Sequence, residues 1–368
     1  MSSQKRGKNV LFILSDEHNR NVAGCYGHPF VKTPNIDALA AKGTRFDAAY
    51  CNSPICVPSR ASLATGRYVH DIGYWDNACP YTGSPESWHH TLRGQGVDVV
   101  SIGKLHFRGG DDNGFTEELA PLHVVDGKGD IKGLFRKDLP KKVGTEDLAT
   151  GAGRGTSTYS RYDMRIADLA KDWLGDRGAD GAPFVLFVSF VMPHFPLIAQ
   201  DAFYDLYADL DLATLAAGLD APPPDHPTLA RMREYFDYDS HFDDRSRAMA
   251  LRAYYGMVTQ LDGLIGDVLA TLKSAGHGKD TTIVYASDHG DNLGNRGMWG
   301  KSVMYEDSVA VPMIIAGEGV PEGAVCKTPV SLLDIAPTMV AATGVNGPER
   351  GYPGRSLVEI AAGAEPDR

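Results

Sequence analysis

NVLFILSD (residues 9–16) and TTIVYASDHG (residues 281–290) each carry a run of apolar, β-branched-rich residues straight into an acidic side chain. Such runs are what strands covered on both faces look like, since neither face has to meet water. Three more follow the same pattern: VDVVSIG (97–103), PFVLFVSFV (183–191) and VPMIIAG (311–317). Between them, helices are expected over 35–42, behind the Thr33-Pro34 start signal, and over 60–66, 160–174, 250–274 and 334–343. Strands alternating with helices predict an α/β fold, with a central, mostly parallel sheet sandwiched by helices. The chain, residues 1–368, reads as a single α/β domain with loop insertions at about 108–159 and 196–248. The first is rich in Gly, Lys and Asp. The second carries Pro222-Pro223-Pro224 and many aromatic and acidic residues. Both are expected over one end of the sheet, where loops build substrate sites, with plain surface elaboration as the alternative.

The net charge of −11 argues against a nucleic-acid surface, which wants clustered Lys and Arg. An anionic substrate needs only local positive charge and is not excluded. No segment approaches the roughly 18 consecutive apolar residues of a membrane span. The basic start before Val10 superficially resembles a signal peptide. Its apolar run ends at Leu14, short of the roughly 7–15 residues of a signal core, and no small-residue cleavage site follows. The segment therefore reads as a first strand and the location as cytoplasmic. The odd, sparse set Cys25, Cys51, Cys56, Cys79 and Cys326 fits a reducing compartment better than a disulfide framework.

The chemistry concentrates in CNSPICVPSRASLATGR (51–67). Cys56 is expected in a Pro-bounded turn just before a helix, where free backbone N–H groups favour a negative or electrophilic group. Arg60, four residues on, can reach back toward an anion there. By themselves these features support a cysteine of low pKa. The segment also resembles the sulfatase signature, Cys-x-Pro-Ser-Arg followed after four residues by Thr-Gly, filled here by Cys56, Pro58, Ser59, Arg60, Thr65 and Gly66. The resemblance runs from Asn9 to about Leu357. It implies an alkaline-phosphatase-like fold and a Cys56 oxidised to formylglycine by a formylglycine-generating maturation enzyme.

Asp16 and Asp288-His289 each follow an apolar strand, so a parallel sheet would bring them to its C-terminal edge. An Asp after a strand is by itself more often a helix cap. Together with Cys56, the resemblance makes Asp16, Asp288 and His289 ligands of one divalent metal ion, Ca²⁺ or Mn²⁺, the imidazole favouring the latter. Many sulfatases have Asp-Asp after the first strand and Asp-Asn later. Asp16-Glu17 and Asp288-His289 are more similar to the choline-sulfatase and phosphonate-monoester-hydrolase branch, and Glu17 is left outside the ligand set. Gly-Lys104-Leu-His106, Pro-His194-Phe-Pro196 and Lys301 match further family elements that grip the transferred group. Asp76-Asn77-Ala78 narrows the resemblance toward the same branch and makes Asn77 a substrate contact. Trp75 and Tyr74 are then candidates for the leaving-group pocket, packing being the alternative. Relatives usually continue into a small antiparallel C-terminal subdomain, expected here to be missing or truncated.

The implied reaction is hydrolysis of a small-molecule sulfate monoester by the formylglycine hydrate. Arg60 would hold the hydrate, and Lys104, His106 and Lys301 would stabilise the transferred group. His194 or Lys301 would protonate the leaving alcohol, and His106 would deprotonate the second hydroxyl. A phosphonate monoester or phosphodiester hydrolase using the same site is one alternative. An unmodified, non-catalytic anion-binding relative is another. Neither nucleic acid nor membrane is expected as a partner, and a homo-oligomer is compatible with the sequence.

Overall fold

The computed structural model describes residues 9–124, 142–178 and 182–364. An eight-stranded sheet forms the centre. Its order is Ala324–Cys326, Thr44–Phe46, Met313–Ala316, Thr281–Ser287, Asn9–Asp16, Phe184–Pro193, Asp98–Arg108, Glu117–Val124. All its pairings are parallel except those of Met313–Ala316, which runs antiparallel to both neighbours. The expected strands are all present. The strand of residues 97–103 runs on to Arg108, so Lys104 and His106 lie within a strand rather than after one.

Strand geometry alternates side chains between faces, and two apolar cores result. Val10, Phe12 and Leu14 face one core with the helices Cys56–Thr65 and Ile335–Thr343. Leu11 and Ile13 face the other, covered by Thr158–Asp176 and Asp244–Ser274. The long helix starts at Asp244, before the expected 250, because Asp243 and Ser246 form a reciprocal capping box. No helix among the described residues is long and apolar enough to cross a membrane.

The region 108–159 is less of a loop than expected. Glu117–Val124 adds a parallel edge strand, and Asp147–Thr150 forms a helical turn. Residues 125–141 of that insertion lie outside the described residues. The region 196–248 holds short helices, among them Pro227–Phe236.

Candidate active site

Register places the chemistry. Ser15 pairs with Ser287, so Asp16 and Asp288 emerge side by side at the C-terminal ends of adjacent parallel strands. Asp16 pairs with Pro193, bringing His194 to the same edge, and Gly103 pairs with Ser189, placing Lys104 next to it. This is the edge where open α/β sheets bind ligands.

The signature segment supplies the remaining parts. Helix Cys56–Thr65 is buried along its whole length and ends on Gly66 in the left-handed region at φ 61°. It begins at Cys56 rather than 60, because Pro58 falls in the first turn, where a missing N–H loses no helical bond. Cys56 is thus the first helical residue, not part of a preceding turn. The Val57 N–H donates to Asn77 Oδ1 at 3.0 Å, so Asn77 satisfies one of the unpaired donors of this helix end.

Arg60 bonds to both carboxylates of the site. Its Nε donates to Asp288 Oδ2 at 2.7 Å and its Nη2 to Asp16 Oδ2 at 2.9 Å. Nη1 donates to the Lys104 carbonyl at 2.7 Å and to Ser189 Oγ at 2.9 Å. The guanidinium therefore clamps the two carboxylates and the neighbouring strands. Lys104 Nζ forms a second ion pair with Asp16.

Cys56 Sγ lies 3.3 Å from His289 Nε2 and 3.9 Å from Asp16 Oδ1. Donor atoms of Asp16, Cys56, Asp288 and His289 all fall within 4.8 Å of one another, and all four residues are buried. Two carboxylates, an imidazole and the position of the Cys56 side-chain heteroatom suit a divalent cation. Uncompensated carboxylates in such a dry site are expensive, which is a physical reason for the ring of cations around them.

Electrostatics follow from that ring. Burial alone would raise Asp16, but Lys104, His194, Arg60 and His289 hold it well below the usual carboxylate range. Burial and then Asp16 push Asp288 up to about 6. Burial disfavours a charged His289, yet Asp288 outweighs it and lifts the imidazole to about 9. For Cys56, burial and Asp16 oppose ionisation, while Lys301, Lys104 and His289 hold the thiol well below its ordinary range.

Three more expected residues line one cleft of about 460 Å³ beside this cluster: His106, His194 and Lys301, with Asn77. His106 has φ 61°, and its buried Nδ1 has no hydrogen-bond partner among the described residues. His194 Nδ1 lies 2.7 Å from the Phe195 carbonyl, which fixes the proton there, and burial lowers its pKa to about 4. Trp75 is not brought to this cleft and is 60% exposed. Tyr74 is engaged elsewhere, donating to the Ser84 carbonyl at 2.5 Å.

Glu17, set aside on sequence grounds, is fully buried against the proposed proton donors. Its Oε2 lies 2.9 Å from Lys301 Nζ and 3.4 Å from His194 Nε2. Burial pushes its carboxyl up to about 8, against the pull of Lys301. Simple alternation would point Glu17 away from Asp16, but φ 67° ends the strand and turns it back. Asp291 was also missed. It accepts from the Leu293 and Gly300 N–H groups at 2.7 and 3.0 Å and so shapes the loop that carries Lys301.

The sheet has the alkaline-phosphatase-like architecture of solved sulfatase structures. The chain belongs to the sulfatase family, whose model matches residues 8–345. It is 33% identical over 375 residues to a choline-sulfatase of Rhizobium meliloti (strain 1021), covering 97% of this chain and 72% of that one. It is 31% identical over 365 residues to the uncharacterized sulfatase YidJ of Escherichia coli (strain K12), covering 96% and 71%. The crystal structure of a phosphonate monoester hydrolase of Agrobacterium radiobacter has the same fold, with a TM-score of 0.76 at 24% identity over 98% of this chain and 78% of that one.

Proposed function

We propose that this sulfatase-family hydrolase cleaves sulfate monoesters with a formylglycine derived from Cys56. The observation that carries the reading is the buried group Asp16, Cys56, Asp288 and His289, with the signature cysteine at its centre. A divalent cation held by these residues would acidify the attacking hydroxyl and offset charge on the ester oxygens. The residues of the chain divide the remaining work. The N-terminal position of residue 56 on its helix aims backbone dipoles at the developing charge. Lys104 and Lys301 add positive charge to the same place, as their influence on the Cys56 thiol indicates.

Proton positions follow from the environment of each group. Lys301 stays protonated: Cys56 first, then Glu17 and Asp16, raise it well above the ordinary lysine value despite burial, and Asp16 remains an anion once Cys56 is oxidised. His194 is neutral, with its proton on Nδ1, so in the resting site the proton available to a leaving alcohol sits on Lys301 Nζ. His106 is neutral as well, lowered first by burial and then by Lys104, and its interaction with the Cys56 side chain leaves the imidazole placed to accept a proton during release of the product.

Comparing hydrolysis of 4-nitrophenyl sulfate with that of an aryl phenylphosphonate tests this reading. The metal-loaded protein should be produced together with a formylglycine-generating enzyme. Faster turnover of the sulfate is expected. Clear dominance of the phosphonate would replace a sulfate-ester hydrolase with a phosphonate or phosphodiester hydrolase using the same residues.

A further inference from the structure

The strand Asn9–Asp16 is followed by a non-glycine residue in the left-handed region, Glu17 at φ 67°. Such a conformation is uncommon and persists where its surroundings over-determine it. Here they do. The Glu17 N–H donates to Asp288 Oδ1 at 3.2 Å, and its carbonyl accepts from the Tyr254 hydroxyl at 2.7 Å. The same Tyr254 oxygen accepts from the Asn19 N–H at 2.9 Å, and the His18 N–H donates to Ser287 Oγ at 2.9 Å. The turn so held points a fully buried carboxyl group toward the site instead of away from it.

Lys301 arrives on a loop whose backbone is also fixed. Asp291 accepts from the Leu293 and Gly300 N–H groups, and the Ser302 N–H donates to the Pro54 carbonyl at 3.0 Å. Gly300 lies against the same carboxyl, since a Cβ there would be 3.4 Å from Glu17 Oε1. What the loop leaves undetermined is the lysine side chain, a flexible four-carbon stem. Its ammonium donates to Glu17 Oε2 at 2.9 Å. A short, buried side chain on a multiply held turn is a rigid anchor for a long, flexible one. The alternative is a cation ligand, because Glu17 also approaches Asp16 and His194. Its Oε2 already carries the Lys301 ammonium, however, and Glu17 stands outside the four-donor group around Cys56.

We infer that Glu17 is a positioning residue, whose hydrogen bond holds the Lys301 ammonium where it protonates the leaving alcohol. This rests on the hydrolase reading above and deepens it by naming what aims the proton donor.

The leaving group provides the readout. Phenol is a poor leaving group and needs the proton, whereas 4-nitrophenol departs readily without it. Values of kcat/KM, which report ester cleavage, are measured for phenyl sulfate and 4-nitrophenyl sulfate on the wild type, Glu17→Met, Glu17→Gln, Lys301→Met and the Glu17→Met/Lys301→Met double variant. Bound metal is measured on each preparation. Glu17→Met keeps the length and loses the acceptor, and Glu17→Ser replaces it if that variant does not fold. Glu17→Met should lower kcat/KM about 100-fold for phenyl sulfate and less than about tenfold for 4-nitrophenyl sulfate, with metal content unchanged. Lys301→Met should show the same pattern, and the double variant no further loss. Glu17→Gln, which still offers an oxygen to Lys301, should return to within about fivefold of wild type. Equal losses for the two esters, additive losses in the double variant, loss of bound metal, or no rescue by glutamine overturns the inference while leaving the hydrolase reading intact. Wild-type protein that cleaves neither ester overturns the hydrolase reading and the positioning role with it.

Discussion

The Arg60 guanidinium lies against two buried carboxylates that would otherwise repel each other at the edge of a dry sheet. Its planar fork reaches Asp16, Asp288, Ser189 and the Lys104 carbonyl at once, which no lysine can copy. Arg60→Ala should therefore cost about 3–5 kcal/mol in urea unfolding, the scale for breaking a buried ion pair on one side. Arg60→Lys keeps a charge but loses the fork. It should recover part of that stability while leaving turnover of an aryl sulfate strongly reduced. A fully active Arg60→Lys would show that the geometry of the clamp is unimportant. At this scale the sequence was informative wherever a side chain sits on a signature or directly after an apolar run, as Cys56, Asp16 and His289 do. Glu17 escaped because its placement depends on one positive φ at a strand end, which alternation does not predict.

Among the elements, the strand Asp98–Arg108 does the most positioning, since it carries both Lys104 and His106. Gly103 makes its approach to Phe184–Pro193 feasible. Its φ is +101°, and a Cβ there would run into the Ser189 carbonyl oxygen and come within 2.6 Å of Ile166 Cδ1. Gly103→Ala should destabilise the protein by about 1–3 kcal/mol through backbone strain, with an added packing penalty, and should raise KM by displacing Lys104. Gly96→Ala is the control: φ is +82° but nothing lies within 4 Å, so only the strain remains. Equal urea midpoints for the two variants would show that the close approach is irrelevant. The central strands were legible because burial on both faces leaves near-continuous apolar runs. Glu117–Val124 was not, because an edge strand with half-exposed charges and Pro121 carries neither that run nor clean alternation. The start of the signature helix was hidden by Pro58, which reads as a breaker but is harmless in a first turn.

For the whole molecule, the buried neutral histidines set a limit on acid tolerance. His89 is enclosed beside Phe115 at 4.0 Å, and burial lowers its pKa to about 3. A depressed histidine pKa means that the folded state binds fewer protons than the unfolded one. Its stabilising effect is complete above about pH 6.5 and is lost as pH falls toward 3. At pH 5 the loss from His89 alone is about 2 kcal/mol. His89→Gln should thus be less destabilising relative to wild type at pH 5 than at pH 7.5, measured by urea unfolding at both. An unchanged difference would show that His89 titrates normally in the fold. The α/β class and the convergence of site residues at one sheet edge were readable in advance, because parallel topology follows from alternating elements. The aromatic wall of the cleft was not, because it joins residues 195, 236, 238 and 299, which only tertiary packing brings together.

The central claim is that residue 56 becomes the nucleophile of a sulfate-ester hydrolase. The most direct measurement follows release of inorganic sulfate from 4-nitrophenyl sulfate against the modified fraction of the Cys56 peptide, read by mass spectrometry as a loss of about 18 Da. Preparations made with and without the maturation enzyme, together with Cys56→Ala, span that fraction. Sulfate release proportional to the lighter peptide, and absent in Cys56→Ala, is the predicted result. Undiminished release by Cys56→Ala, or none from fully converted, metal-loaded protein, would contradict it.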